Sequence, residues 1–196
     1  MENNMNTAAF IIAGGKSRRF GRDKALYEYQ GKKLIEHVHD ALSPVFSDIA
    51  IVSSDSEKYE FLGLDIIPDI IPDLGPVGGI YTALERAGGK RVFAVACDMP
   101  CLNSEFISYM LSIADYYDVI IPFVSGFYEP LHTIYSSTCL EHVKELINRG
   151  ERKITGFFEK VNVRPVSEEE IGYYDDPFYM LRNINFTEDI PGLKGS

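Results

Sequence analysis

The sequence predicts a single-domain α/β protein, a three-layer sandwich around a mostly parallel central sheet. Three observations carry this. Short, apolar, β-prone runs alternate with segments whose apolar residues recur at helical spacing, which is the pattern of βαβ units. The first run, residues 7–12 (TAAFII), is almost wholly apolar, as a strand covered on both faces must be. No internal repeat, low-complexity block or linker divides the 196 residues, a length that suits one sizeable core.

The polar residues 1–6 are expected to fray, and residues 7–12 form the first strand. Leu34, Val38, Ala41, Leu42 and Val45 recur at helical spacing, so a helix is expected over residues 32–43, stopped by Pro44. Residues 48–52 (DIAIV) and 63–68 (GLDIIP) read as the second and third strands. The loop 72–79 (PDLGPVGG) leads into a helix that runs to about Arg86 and ends at Gly88-Gly89. Residues 91–96 (RVFAVA) are the fourth strand and 118–122 (DVIIP) the fifth. Between them a helix over 104–114 turns Phe106, Ile107, Met110 and Leu111 inward. A further strand falls within 129–135 and a helix over 137–148; residues 161–166 (VNVRPV) and 180–184 (MLRNI) are expected as strands.

Composition narrows the function. The chain is 45% hydrophobic, which excludes wholesale disorder, and its net charge of −10 argues against nucleic acid as a partner. No apolar run reaches the roughly 18 residues of a membrane span, and residues 1–10 lack the pattern of a signal peptide. The three cysteines, Cys97, Cys101 and Cys139, form no C-x-x-C pair and read as free thiols of a cytoplasmic protein. His37 and His39, two apart on a helix, point to different faces and read as surface residues.

Against this acidic background one stretch stands out. The first strand runs through Ile12 and Ala13 into Gly14-Gly15, and Lys16, Arg18, Arg19, Arg22 and Lys24 then place five cations within nine residues. Adjacent glycines let backbone approach a ligand closely, and clustered cations offset several negative charges, so the pair suits a polyphosphate. Neither the G-x-x-x-x-G-K-[ST] nor the G-x-G-x-x-G pattern is matched. Asp69, the Gly75–Gly79 loop and Asp98 also follow strands, so all should converge at the carboxyl rim of the sheet, where open α/β sheets bind ligands. A carboxylate at such a place, Asp98, can hold Mg²⁺ or can cap a turn.

AGGKSRRFGRDK resembles the signature loop of the nucleotidyltransferases, and among them that of the molybdenum cofactor guanylyltransferases, L-A-G-G-x-x-x-R-M-G-x-D-K. Ile12 stands for the usual Leu and Phe20 for the usual Met. ACDMPCL is similar to the family's P-C-D-x-P, GPVGG to its G-P-[LV]-x-G, and Arg182-Asn183-Ile184-Asn185 to its N-[IV]-N-T-P-E, with Phe186-Thr187 in place of Thr-Pro. Tyr128-Glu129-Pro130-Leu131-His132 resembles the segment near the second substrate. His132 could meet a pterin or phosphate there, or be structural. Asn183 and Asn185, on one face of an expected strand, would pair their amides at the rim.

The resemblance implies a mostly parallel, Rossmann-like sheet of the nucleotide-diphospho-sugar transferase type. It also implies transfer of GMP from GTP to the terminal phosphate of molybdenum-molybdopterin. The implied nucleotide site comprises Ile12, Ala13, Gly14, Gly15, Lys24, Ser53, Asp69, Gly78, Gly79 and Asp98. Lys24 and Arg19 would offset triphosphate charge and Asp98 would hold Mg²⁺. Ser53 stands where relatives show Asn, a shorter reach toward base or ribose. Proteins that deliver or receive the cofactor would be partners. A relative using CTP or another phosphorylated acceptor is the alternative, as is a nucleotide-binding module without catalysis. Gly15 favours guanine, because cytidylyl relatives have Ala-Ala-Gly where this chain has Ala-Gly-Gly.

Overall fold

The computed structural model describes residues 6–13, 23–55 and 57–184. Along the chain, β1 (Thr7–Ile12) is followed by a hairpin of β2 (Glu28–Tyr29) and β3 (Lys32–Lys33), then α1 (Leu34–Leu42) and β4 (Ile49–Val52). Next come β5 (Asp65–Ile67), α2 (Pro76–Arg86), β6 (Arg91–Ala96) and α3 (Ser104–Ser112). The remaining elements are β7 (Val119–Val124), β8 (Phe127–Tyr128), β9 (His132–Tyr135), α4 (Cys139–Asn148), β10 (Val163–Ser167), α5 (Glu168–Ile171) and α6 (Pro177–Met180). Of the expected fraying over residues 1–6, all but Asn6 lies outside the described residues.

The sheet runs in the order β10-β7-β9-β6-β1-β4-β5, with β8 folded back on β7. The β1–β4, β1–β6, β4–β5 and β7–β10 pairs are parallel; β9 is antiparallel to both β6 and β7. The sheet is thus mostly parallel, as expected. The 129–135 strand narrows to β9, and only the structure shows that it runs against its neighbours.

Alternation along β1 divides the core. Ala9 and Ile11 face the layer of α1 and α3, built from Ile35, Val38, Leu42, Phe106, Ile107 and Met110. Ala8, Phe10 and Ile12 face α2 and α4, against Val77, Ile80, Leu84, Val143 and Leu146. All six β1 residues are buried, as its apolar run requires.

Two expectations are corrected. Residues 32–33 are not helical. Gln30 and Gly31 both take positive φ, 48° and 82°, and close a two-residue hairpin, so α1 begins at Leu34. Residues 180–184 are not a strand. Asp176 caps α6 by accepting from Phe178 N and Tyr179 N, with Pro177 at the first helical position. Met180 and Ile184, four apart, are the buried pair, and Ile184 N donates to Asp98 O at 3.0 Å instead of joining the sheet.

Two packing features are specific enough to test. A Cβ built on Gly79 would lie 2.5 Å from Ile12 Cγ2, so α2 rests on β1 only because that residue has no side chain. Gly79→Ala is expected to destabilise by about 1–2 kcal/mol in urea unfolding, overpacking outweighing the better helix propensity of Ala. The second is His132. It is fully buried, stacked on Phe106 and edge-on to Phe93, and neither ring nitrogen has a hydrogen-bond partner among the described residues. Burial lowers its pKa from 6.5 to about 3. Below about pH 6.5 the unfolded chain therefore binds a proton that the folded chain refuses until about pH 3, and stability falls as pH falls. His132→Phe, which removes both unpaired nitrogens at similar volume, should raise the unfolding free energy by about 1 kcal/mol at pH 8. The gap should widen by about 1.4 kcal/mol per pH unit below 6.5.

Candidate active site

Parallel pairing brings the carboxyl ends of β1, β4, β5 and β6 to one rim. Backbone bonds carry the pairing past the strand ends: Ala13 N to Val52 O at 2.9 Å, Ser53 N to Ile67 O at 2.9 Å and Cys97 N to Ile12 O at 3.3 Å. Ile12, Ala13, Ser53, Asp69, Gly78, Gly79 and Asp98 thus gather at this rim. Gly14, Gly15 and Arg19 lie outside the described residues, as does Asn185.

Asp98 follows β6 at the rim. It is half-buried, and burial pushes its carboxyl above the ordinary value while the Lys24 ammonium pulls it back. Lys24 opens a short 3₁₀ turn, Lys24–Leu26, capped by Asp23, whose Oδ1 accepts from Ala25 N at 3.2 Å. The cation and the carboxylate, 74 positions apart in sequence, therefore share one electrostatic neighbourhood. Cys97, beside them, is held as a neutral thiol by burial and by the charges of Asp98 and Asp23.

Sequence reasoning assigned no role to Glu129. The β6–β9 register pairs Val95 with His132, and Ala96 N donates to Leu131 O at 3.0 Å. A turn closed by His132 N donating to Glu129 O at 3.3 Å precedes β9, and there the charge of Asp98 reaches Glu129. Burial raises the Glu129 carboxyl, the Leu131 N–H opposes this, and the Asp98 charge adds to it. The signal that could have found it is a carboxylate just ahead of a strand antiparallel to β6, but that direction is not written in the strand's composition.

On the other side of β1, Asp69 is raised by burial and accepts from Ser54 Oγ at 3.4 Å. Ser53 is buried, its hydroxyl engaged with Asp55 N at 3.2 Å, so it shapes the turn and the exposed Ser54 meets Asp69. Thr82 on α2 accepts from Ile70 N at 3.0 Å and ties the Asp69 loop to that helix. Gly78 and Gly79 are both buried: a Cβ would meet Leu74 Cβ at 2.9 Å in the first and Ile12 in the second. Both seat the N-terminal turn of α2, and Gly75, with φ 61°, makes the entry. His132 lies beneath the rim in the core, and Asn183 is half-buried beside the tie from Ile184 to Asp98.

Two half-buried carboxylates at the rim offer hard oxygen donors, which suit a divalent cation that completes its shell with water and phosphate oxygens. Among the described residues no group of three or more His, Cys, Asp or Glu side chains gathers as an all-protein cage. With a lysine next to Asp98 and a helix N-terminus beyond, the rim can bind and neutralise a polyphosphate.

Comparison with known proteins agrees. The MobA-like NTP transferase domain matches residues 9–164. A probable molybdenum cofactor guanylyltransferase of Natranaerobius thermophilus is 35% identical over 191 residues, spanning 94% of this chain and 93% of the relative. One from Clostridium perfringens is 36% identical, covering 93% and 95%. Among solved structures, molybdopterin-guanine dinucleotide biosynthesis protein A from Archaeoglobus fulgidus superposes with a TM-score of 0.79 at 28% identity, over 93% of this chain and 94% of that one. A cytidylyltransferase from Leptospira borgpetersenii, at 16% identity and a TM-score of 0.73, shares the fold. Among the described residues no helix is long and apolar enough to cross a membrane. From sequence, fold and site together, the chain belongs to the MobA-like NTP transferase family and is an enzyme of the nucleotidyltransferase class.

Proposed function

We propose that the enzyme transfers GMP from GTP to the terminal phosphate of molybdenum-molybdopterin, forming the guanine dinucleotide and releasing pyrophosphate. The observation that supports this most is the likeness to molybdenum cofactor guanylyltransferases over nearly the whole chain, with Lys24 and Asp98 within one another's electrostatic reach at the rim. In the proposed reaction an acceptor phosphate oxygen bonds to the α-phosphorus of GTP. The bond from that phosphorus to the bridging oxygen breaks, and its electron pair leaves with pyrophosphate. The acceptor phosphate is already anionic near neutral pH, so no serine or cysteine nucleophile is required. The site's work is positioning and charge neutralisation.

Lys24 would offset triphosphate charge, with Arg19 from the glycine loop as a second cation. Gly14 and Gly15 would supply backbone N–H donors to the phosphates. Asp69 and Ser54, on the β4–β5 side, would meet the nucleoside. Asp98 would hold Mg²⁺, and its half-buried carboxylate fits a cation that takes one or two carboxylates and fills its shell with phosphate oxygens. When bound, Mg²⁺ supplies charge neutralisation across the phosphates. Partners under this reading are GTP, molybdenum-molybdopterin and the proteins that deliver or receive the cofactor.

Two measurements test the proposal. GTP with Mg²⁺ should raise the melting temperature more than CTP, ATP or UTP at equal concentration, since a ligand of the folded state stabilises by mass action. A larger shift with CTP would replace guanylyl by cytidylyl transfer. Asp98→Asn should lower turnover by about two orders of magnitude, the loss of several kcal/mol of transition-state stabilisation at about 1.4 kcal/mol per tenfold. Its melting temperature should equal or exceed that of the parent, because burial disfavours the charge that Asn lacks. Normal turnover with unchanged Mg²⁺ dependence would remove Asp98 from the metal.

A further inference from the structure

Behind Lys24 lies a buttress with no part in the reading so far. Residues Glu57–Leu62, between β4 and β5, form a 3₁₀ helix that turns Tyr59 into the core, where it is fully buried beside Ala25 and Ala96. A buried tyrosine needs a partner for its hydroxyl. Tyr59 does not use a backbone carbonyl: its hydroxyl donates to Asp23 Oδ2 at 2.8 Å. The other Asp23 oxygen caps the turn that begins at Lys24, accepting from Ala25 N at 3.2 Å. The ammonium of Lys58 stands 3.6 Å from Asp23 Oδ2 and 2.7 Å from Asp55 Oδ2, so it offsets the charge of both carboxylates.

The residue next to the lysine is therefore gripped on both oxygens. Leu26 N donates to Asp23 O and Tyr27 N to Lys24 O, which closes the turn, and Ala25 has no solvent exposure with which to shift. Burial holds the Tyr59 phenol in its protonated form, well above its ordinary range, so it remains a donor. A phenol donating to a carboxylate makes a stronger bond than a neutral pair. What it holds is the start of the turn that carries Lys24, the cation whose charge reaches Asp98 and Cys97.

We infer that Tyr59 is a positioning residue for Lys24, acting through the Asp23 carboxylate. This rests on the reading of Lys24 above. The hydroxyl fixes where the 3₁₀ turn starts, and so the direction from which the lysine chain reaches the rim. Without it the Asp23 side chain can rotate, and the turn loses its rigid origin.

The test is a cycle of Tyr59→Phe, Lys24→Ala and the double variant in the full-length protein. The readouts are pyrophosphate release with Mg²⁺ and GTP, and melting temperature. Tyr59→Phe keeps the ring in the core and should lower turnover about tenfold in the parent background. In the Lys24→Ala background the same change should lower it less than twofold, because the group being positioned is gone. Asp23→Asn, whose single side-chain oxygen can replace one of the two acceptors, should retain more turnover than Asp23→Ala but less than the parent. An equal tenfold loss in both backgrounds would make Tyr59 a general support of the fold, and full turnover of Tyr59→Phe would leave it no role; either result overturns the inference. Normal turnover of Lys24→Ala alone would instead overturn the reading of Lys24, and this inference with it.

Discussion

The structure depends on β1 being paired in parallel on both sides. Its six residues are buried on both faces, between β4 and β6. Because parallel strands place their carboxyl ends at the same rim, this one pairing decides where the chain leaves the sheet after Ala13. It also brings the loops after β4 and β6 within backbone reach, through the Ala13–Val52 and Cys97–Ile12 bonds. Site geometry follows from strand direction before any side chain is considered.

The rim holds acidic groups where burial opposes their charge. Asp98, Asp69 and Glu129 are all pushed up from ordinary values by burial, and only Asp98 has a lysine to pull it back. Carboxylates that share one rim repel, as the Asp98 charge acting on Glu129 shows, and such an arrangement survives when the surrounding structure holds it. Here the frame does so: Glu129 O accepts from His132 N and Thr133 Oγ1, while Asp98 O is tied to Ile184 N. Stability is given up locally for a constellation that a cationic or phosphate-bearing ligand can complete.

Neighbouring motif residues divide their labour. Gly78 and Gly79 serve the seating of α2 on β1, a task of packing, and the helix so placed directs its N-terminus to the rim. Ser53 is consumed by its own turn while Ser54 reaches Asp69. Asp23 is the hinge between a buried tyrosine and the lysine beside it. Each small motif therefore carries a structural member that supports a neighbour at the rim.

Much of this was legible in the sequence. The apolar run of β1, the helical periodicities and the carboxylates just after strands point to the three-layer fold and to Asp69 and Asp98 at one rim, while the role of Lys24 comes from the resemblance of its loop to the family signature. These signals are local, because burial on one or both faces imposes a period that composition records. What remained hidden was decided by pairing. Residues 32–33 and 180–184 depart from their sequence pattern because two strand residues or one helical turn are too short to show a period. The antiparallel course of β9 and the turn ahead of it, which bring Glu129 into the field of Asp98, are matters of direction and pairing, which a strand's residues do not encode. The grip of Tyr59 on Asp23 joins positions 36 apart. The sequence by itself determined the layers, the first strand and the class of chemistry. Only the tertiary structure decided which side chains face one another, because a contact between distant residues exists only once the chain has folded.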